Sequence, residues 1–281
     1  MNIRKALEFA AAQLRSVEIP EPEREASSLL RLVIKRDKTF LYANPDHQID
    51  AVESILFKAV VKRRVGHEPF QYISGKAEFL GRDFAITPAV LIPRPETEIL
   101  VEAAIERLSN SEAPRFLELG VGSGCISISV LAELTNASAV GVDISEDALE
   151  IARRNAETHN VGERIGLMKS DLFESVSVEQ YDAILSNPPY IPTADIEDLQ
   201  PEVRDKEPRT ALDGGVDGLD VVRRIVGHSI EYLGAGFPLI LEIGIGQSDA
   251  VAELFDTSFW SSIEILKDFQ NIDRIVIATK K

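Results

Sequence analysis

The sequence predicts an α/β protein, a Rossmann-like, seven-stranded and mostly parallel sheet preceded by a small helical domain and a β-hairpin joint. Three observations predict it. From residue 115 onward, short apolar runs alternate with stretches of helical period, as in a sheet whose two faces are both covered by helices. A glycine-rich turn, Gly120-Val121-Gly122-Ser123-Gly124, follows the first of those runs. Residues 1–70 carry helical periodicity alone.

In the N-terminal part, Ile3, Leu7, Ala10 and Leu14 form one apolar stripe, and Ala26, Leu29, Leu30 and Val33 a second. Val52, Ile55, Leu56, Ala59 and Val60 form a third, with Asp46 or Asp50 as candidate caps. Residues 66–95 change character. Glycines separate Phe70, Tyr72, Phe79 and Phe84, which predicts short strands with a hairpin at Gly81. Two prolines in Leu91-Ile92-Pro93-Arg94-Pro95 then stiffen the path into a helix beginning near Thr97, and the charges between them suggest a pocket wall.

In the C-terminal part, strands are expected at 115–119, 138–142, 164–169, 181–186, 238–243 and 272–279, with a weaker one near 262–266. Helices are expected at 124–135, 146–158, 218–233 and 247–257. Too little chain precedes the last strand for a crossover helix, so it should pair antiparallel in a late hairpin. The resulting division is 1–70, 71–95 and 96–281.

Composition removes several function classes. Lys and Arg number 30 against 46 Asp and Glu, a formal charge of −16, which repels nucleic acid unless basic residues cluster, and no long basic run exists. One cysteine, Cys125, excludes an internal disulfide and makes a reducing cytosol the default; burial beside the glycine turn is its expected role. No apolar run reaches the roughly 18 residues of a membrane span, the N-terminus lacks a cleavable apolar segment, and no metal-ligand spacing is present. A cytoplasmic monomer without metal is expected.

The glycine turn follows a strand ending in Glu118-Leu119, and Asp143 lies 21 residues beyond Gly122 at the end of the next strand. Glycines admit a ligand close to the backbone, free N–H groups at the following helix start should face it, and a strand-end carboxylate can accept ribose hydroxyls. These features alone fit NAD, FAD or S-adenosylmethionine. Two details favour S-adenosylmethionine: the spacing is Gly-x-Gly-x-Gly, and Glu118 suits an ammonium but repels a pyrophosphate. Asp171 and Leu172 after the third strand are the candidates for the adenine amine and ring face. Glu118, Asp143, Asp171 and Asn187 thus end the first four parallel strands and are expected along one rim in sequence order. Leu241-Glu242-Ile243-Gly244-Ile245-Gly246-Gln247 repeats the look of the glycine turn, but no suitably placed carboxylate follows it. It reads as a tight strand–helix turn.

Asn187-Pro188-Pro189-Tyr190 follows the apolar run 181–186. A polar side chain, carbonyls fixed by proline and an aromatic face can together hold a planar –NH2, so these four residues are the candidates for binding and activating an amide or exocyclic amine.

The chain resembles the PrmC/HemK family, the N5-glutamine methyltransferases of peptide-chain release factors. The resemblance rests on `GHEPFQYISGKAEFLGRDFAITPAVLIPRPETEILV` at 66–101, `ELGVGSGCI` at 118–126, `NPPYI` at 187–191, `ALDGGVDGLD` at 211–220 and `EREASSLL` at 23–30. It implies a class I S-adenosylmethionine-dependent methyltransferase. Gly120 to Gly124, Asp143 and Leu172 would hold the cofactor, and Asn187 to Tyr190 the glutamine of a Gly-Gly-Gln loop. Residues 1–70 would recognise the release factor. Glu118 stands where the family often has Asp, and Leu172 where some members have Trp. The competing reading is an adenine-N6 methyltransferase on DNA or RNA, since `NPPY` is shared by amine methyltransferases; a non-catalytic scaffold is a third.

Overall fold

The computed structural model describes residues 1–281, which divide into two compact units. One comprises Met1–Gly75 with Gln200–Lys206; the other comprises Lys76–Leu199 with Glu207–Lys281.

The first unit is helical: α1 (Ile3–Arg15), α2 (Pro22–Ile34), α3 (Lys38–Ala43), α4 (Ala51–Val65) and α5 (Phe70–Ser74). Ile3, Ala10 and Leu14 of α1 pack with Ala26, Leu29 and Leu30 of α2 around one core. Asp50 begins α4 with a capping box: it accepts from Glu53 N–H, and Glu53 accepts from Asp50 N–H. The third stripe does not face the core. Val52, Ile55 and Leu56 are exposed, and α4 buries Phe57, Val61 and Arg64 instead. The reason is local. Apolar residues surround this helix on nearly every side, so periodicity selects no face. The bulk of Phe57 and the ion pairs of Arg64 with Glu25 and Glu202 select it. Phe70 and Tyr72, expected in a strand, lie in the single helical turn α5, closed by Gly75 at φ 75°.

The second unit opens with the hairpin β1 (Lys76–Phe79) and β2 (Arg82–Ala85). Leu80 and Gly81 both have positive φ, 48° and 69°, as a two-residue hairpin turn requires. Then follow α6 (Thr97–Leu108), β3 (Arg115–Leu119), α7 (Cys125–Glu133), β4 (Ser138–Asp143), α8 (Glu146–Thr158), β5 (Ile165–Lys169) and β6 (Ala183–Ser186). After the short α9 (Pro201–Arg204), which belongs to the helical unit, come α10 (Asp220–Tyr232), β7 (Pro238–Glu242), α11 (Ser248–Ala252), β8 (Trp260–Lys267) and β9 (Asp273–Lys280).

The seven strands run β5-β4-β3-β6-β7-β9-β8. β3 to β7 are parallel; β9 pairs antiparallel with β7 and with β8, the expected late hairpin. All five residues of β7 and all four of β6 are buried, because helices cover both faces of the sheet centre. The strand order corrects one expectation. The rim residues lie as Asp171, Asp143, Glu118, Asn187, not in sequence order. β3 sits between β4 and β6, so the chain reverses direction there and leaves a crevice at the C-terminal strand ends.

Candidate active site

A cavity of about 560 Å³ opens at that crevice. Glu118, Gly120, Val121, Gly122, Ser123, Asp143, Asp171, Leu172, Asn187 and Pro189 of the expected site line it. Gly124, Pro188 and Tyr190 do not. Gly124 caps α7 with φ 80°, and a Cβ there would come within 2.7 Å of Ile128 Cδ1. Pro188 is buried behind the wall, and Tyr190 turns its hydroxyl away, onto Glu242.

The glycine turn is held by β4. Val142 O accepts from Gly120 N–H (2.8 Å) and Val121 N–H (2.9 Å), and Asp143 Oδ2 accepts from Gly122 N–H at 2.9 Å. Asp143 Oδ1 accepts from Ser145 N–H, also at 2.9 Å. The N–H groups of Gly120, Val121 and Gly122 are committed to β4 and its end. At the helix start, where free N–H groups were expected to face a ligand, Gly124 N–H donates to Val121 O (2.8 Å) and Ser127 N–H to Glu118, so the turn offers close approach and not a ring of donors. That suits a ligand without phosphate.

Glu118 is 1% exposed. Its Oε2 accepts from Ser127 N–H (2.9 Å) and from the Ser127 hydroxyl, whereas Oε1 has no hydrogen-bond partner. Burial pushes its carboxyl up to about 8, with the charge of Asp143 adding and the Ser127 donors opposing. A buried carboxylate oxygen without a donor, on a cavity wall, is a site for a cation. Cys125, also on the wall, is a buried thiol pushed up to about 12. At that value it is no nucleophile.

Asp171 is not free. It pairs with Arg224 of α10 at 3.0 Å. Leu172 has φ 51°, and its carbonyl accepts from the Ser170 hydroxyl at 2.8 Å, which holds the turn that presents its side chain. Ile144, 54% exposed and directly after Asp143, is a second apolar wall residue that sequence reasoning passed over. Its signal was an isoleucine where a polar loop begins.

Two further omissions matter more. Thr97, 2% exposed, donates its hydroxyl to Glu242 Oε2 (2.6 Å) and accepts from Asn187 Nδ2 (3.1 Å). Glu242, 1% exposed at the end of β7, also accepts from the Tyr190 hydroxyl at 3.3 Å. Asn187 and Tyr190 are therefore tied to one carboxylate. Burial pushes that carboxyl up to about 7, against the Thr97 and Tyr190 donors and the charge of Arg274. The Tyr190 hydroxyl is raised by burial and by Glu242. The backbone of the same segment is clamped as well. Tyr190 O accepts from Gln247 Nε2 (2.9 Å), Ile191 N–H donates to Leu212 O (3.0 Å), and Gly214 N–H donates to Ile191 O (2.9 Å). A Cβ on Gly218 would lie 2.3 Å from Tyr190 O, so the glycines of 214–218 let this loop close against the segment. Arg94 lines the cavity and pairs with the buried Glu207, which also accepts from Ile92 N–H at 3.2 Å.

Residues 5–75 match the family model of the PrmC N-terminal domain, and residues 96–200 that of the methyltransferase small domain. Over 275 residues the chain is 44% identical to the release factor glutamine methyltransferase of Geobacter sulfurreducens, covering 98% of this chain and 95% of that one. The chain belongs to the release factor glutamine methyltransferase family. The Koribacter versatilis family member is 35% identical over 281 residues, 100% of this chain and 99% of its own. Among solved structures, the ribosomal protein L11 methylase of Lactobacillus delbrueckii subsp. bulgaricus superimposes with a TM-score of 0.51 at 17% identity, over 70% of this chain and 84% of that one. This likeness establishes the class I methyltransferase fold.

The cavity fits S-adenosylmethionine, the methyl donor such a fold implies. Glu118 Oε1 can take the ammonium, Asp143 has further acceptor capacity for ribose hydroxyls, and Ile144 with Leu172 supplies apolar wall for a ring. No group of three or more His, Cys, Asp or Glu side chains gathers to hold a metal, and no helix is long and apolar enough to cross a membrane.

Proposed function

We propose that this chain methylates the side-chain amide nitrogen (N5) of the glutamine in the Gly-Gly-Gln motif of peptide-chain release factors, using S-adenosylmethionine. The relatives' names carry the substrate. The observation that supports it in this chain is the direction of the Asn187 amide. Its NH2 is given to Thr97, so its Oδ1 is the end available to the cavity. An acceptor there suits a substrate –NH2.

The bound cofactor supplies a methyl activated by a positively charged sulfur. The protein holds the nucleophile. A glutamine amide nitrogen is weak because its lone pair is delocalised into the carbonyl. Asn187 Oδ1 accepts one of its N–H groups; Pro188, off the cavity wall, fixes the backbone beside it. That acceptor positions the nitrogen and favours the positive charge it gains. Tyr190, held on Glu242 and Gln247, braces the segment that carries Asn187. No base is needed before transfer; the proton leaves afterwards.

Residues 1–70 are the proposed recognition domain, 71–95 the joint and 96–281 the catalytic domain. The partner is a class I release factor, with no direct nucleic-acid contact, and the enzyme acts as a cytoplasmic monomer. A charge of −16 favours a basic protein partner and disfavours DNA or RNA. Tritiated-methyl transfer from S-adenosylmethionine to a purified release factor, beside duplex DNA, tests the reading. Label should appear on the release-factor glutamine. Label on DNA adenine alone would establish the competing activity instead.

A further inference from the structure

The geometry points to Glu242 as the positioning residue that sets the direction of the Asn187 amide, acting through the hydroxyl of Thr97. An ionised carboxylate only accepts hydrogen bonds. Thr97 has one hydroxyl proton, and Glu242 Oε2 takes it at 2.6 Å. Thr97 Oγ1 is then left as an acceptor, and only the NH2 end of Asn187 can satisfy it, at 3.1 Å. The polarity of the chain Asn187→Thr97→Glu242 is thus dictated from its far end. It leaves Oδ1 toward the cavity.

Protonated Glu242 removes the constraint. The carboxylic acid can donate to Thr97, Thr97 can donate to Asn187 Oδ1, and the amide turns over. The notch then presents N–H donors to a substrate that is itself a donor. Tyr190 does not restore the first arrangement, because its hydroxyl donates to the other oxygen, Oε1.

The charges around Glu242 leave it close to this balance. Glu96 at the start of α6 opposes ionisation, and Arg274 on β9 favours it, but Arg274 is itself paired with Asp268 at 3.0 Å. Cys125 at the start of α7 and the Tyr190 phenol, both raised, stay neutral. Burial is the largest influence and pushes Glu242 up to about 7. The folded value lies above that of an ordinary carboxyl, so the acceptor form prevails above pH 7 and is lost as pH falls through it.

The inference rests on the proposed function only for the identity of the substrate, and its first test uses none. With asparagine 15N-labelled, the Asn187 side-chain NH2 signals, identified by their absence in Asn187→Ala, should shift in the wild-type protein as pH passes through about 7. They should stay fixed in Glu242→Gln and in Thr97→Val. The second test is kcat with release factor at saturating cofactor and substrate, where the pH profile reports groups in the bound complex. Wild type and Thr97→Ser should share a fall in kcat below about pH 7, and Glu242→Gln should lack it. Thr97→Val should be slower by about 10²-fold, the scale of a misplaced reacting group, with unchanged cofactor affinity as the check on folding. Asn187 signals that ignore pH in wild type, or a Glu242→Gln profile that keeps the acidic fall, overturn the assignment. A wild-type enzyme that methylates no release factor, with the titration still seen, overturns the proposed function and leaves this inference standing.

Discussion

Two turns of this chain read almost alike, Glu118-Leu119-Gly120-Val121-Gly122 at the end of β3 and Glu242-Ile243-Gly244-Ile245-Gly246 at the end of β7. Both glutamates are 1% exposed and both are pushed up by burial, to about 8 and about 7. They differ in what satisfies them. Glu118 spends Oε2 on Ser127 and keeps Oε1 without a partner; Glu242 has a protein donor on each oxygen. The first turn leaves a buried acceptor open on the cavity wall, the place proposed for the cofactor. The second is complete as it stands and serves by holding Asn187 and Tyr190. Motif similarity therefore says where a carboxylate sits, and the donors around it say what it is for.

The largest expected effect lies on the side of the second turn. Asn187→Ala should lower kcat by roughly 10²–10³, the scale of losing one preorganised polar partner, and leave cofactor affinity as in wild type. Single-turnover methylation and calorimetric titration of the cofactor measure the two. If cofactor affinity falls with kcat, the division of labour between the two turns is wrong.

Glu118→Gln tests the other side. Losing a charged acceptor costs about 1.5–3 kcal/mol, which is roughly 10- to 150-fold in cofactor affinity, with kcat at saturation little changed. The pH dependence gives the sign. Burial pushes the Glu118 carboxyl up to about 8 in the free protein, so the wild-type carboxylate should lose its charge, and with it affinity, as pH falls through 8. The Gln variant should be flat across that window. Equal affinities for the two proteins at pH 9 would mean that Glu118 faces no cation.

The glycines separate the turns on a smaller scale. Gly124 sits at φ 80°, so Gly124→Ala should cost about 1–2 kcal/mol of stability from the left-handed backbone alone, read as a lower denaturation midpoint. Gly244 has no positive φ, but a Cβ there would lie 2.8 Å from Gln247 Oε1 and 3.1 Å from the Tyr190 ring. Gly244→Ala should therefore displace Tyr190 and slow transfer about tenfold, a modest part of what misplacement can cost, with the denaturation midpoint much less affected. A stability loss equal to that of Gly124→Ala would show that the second turn is scaffold only.

The same contrast marks how far the sequence was legible. Strand–helix alternation, the late antiparallel hairpin and the rim of Glu118, Asp143, Asp171 and Asn187 followed from period and spacing, because each is a local pattern. The stripe on α4 misled, since Phe57 and Arg64 take their side from partners distant in sequence. Glu242 ends the fifth parallel strand as the other four end theirs, and the rule that found them reaches it too. It was set aside because no suitably placed carboxylate follows its glycines and Ser248-Asp249 read as an ordinary helix start. Thr97 looked like a helix start and no more; its bond to Glu242 spans 145 residues, and no local pattern carries that information.

The last contrast is read in the slope of stability against pH. Both buried glutamates are raised above the ordinary carboxyl value, so between about pH 5 and 8 the folded protein holds protons that the unfolded chain releases. Stability of the cofactor-free enzyme should fall as pH rises through that window, an inversion of the usual carboxylate behaviour. Glu118→Gln removes the fall from about pH 7 to 8 and about halves it from pH 5 to 7, where the Glu242 part remains. Cofactor does the same by another route, since an ammonium against Oε1 stabilises the charge that burial opposes. Thermal midpoints measured from pH 5 to 9, with and without S-adenosylmethionine, should show the ligand stabilising the wild type more at pH 8 than at pH 6 and the Gln variant equally at both. A ligand effect on the wild type that is independent of pH would place the ammonium elsewhere and remove the distinction between the two turns.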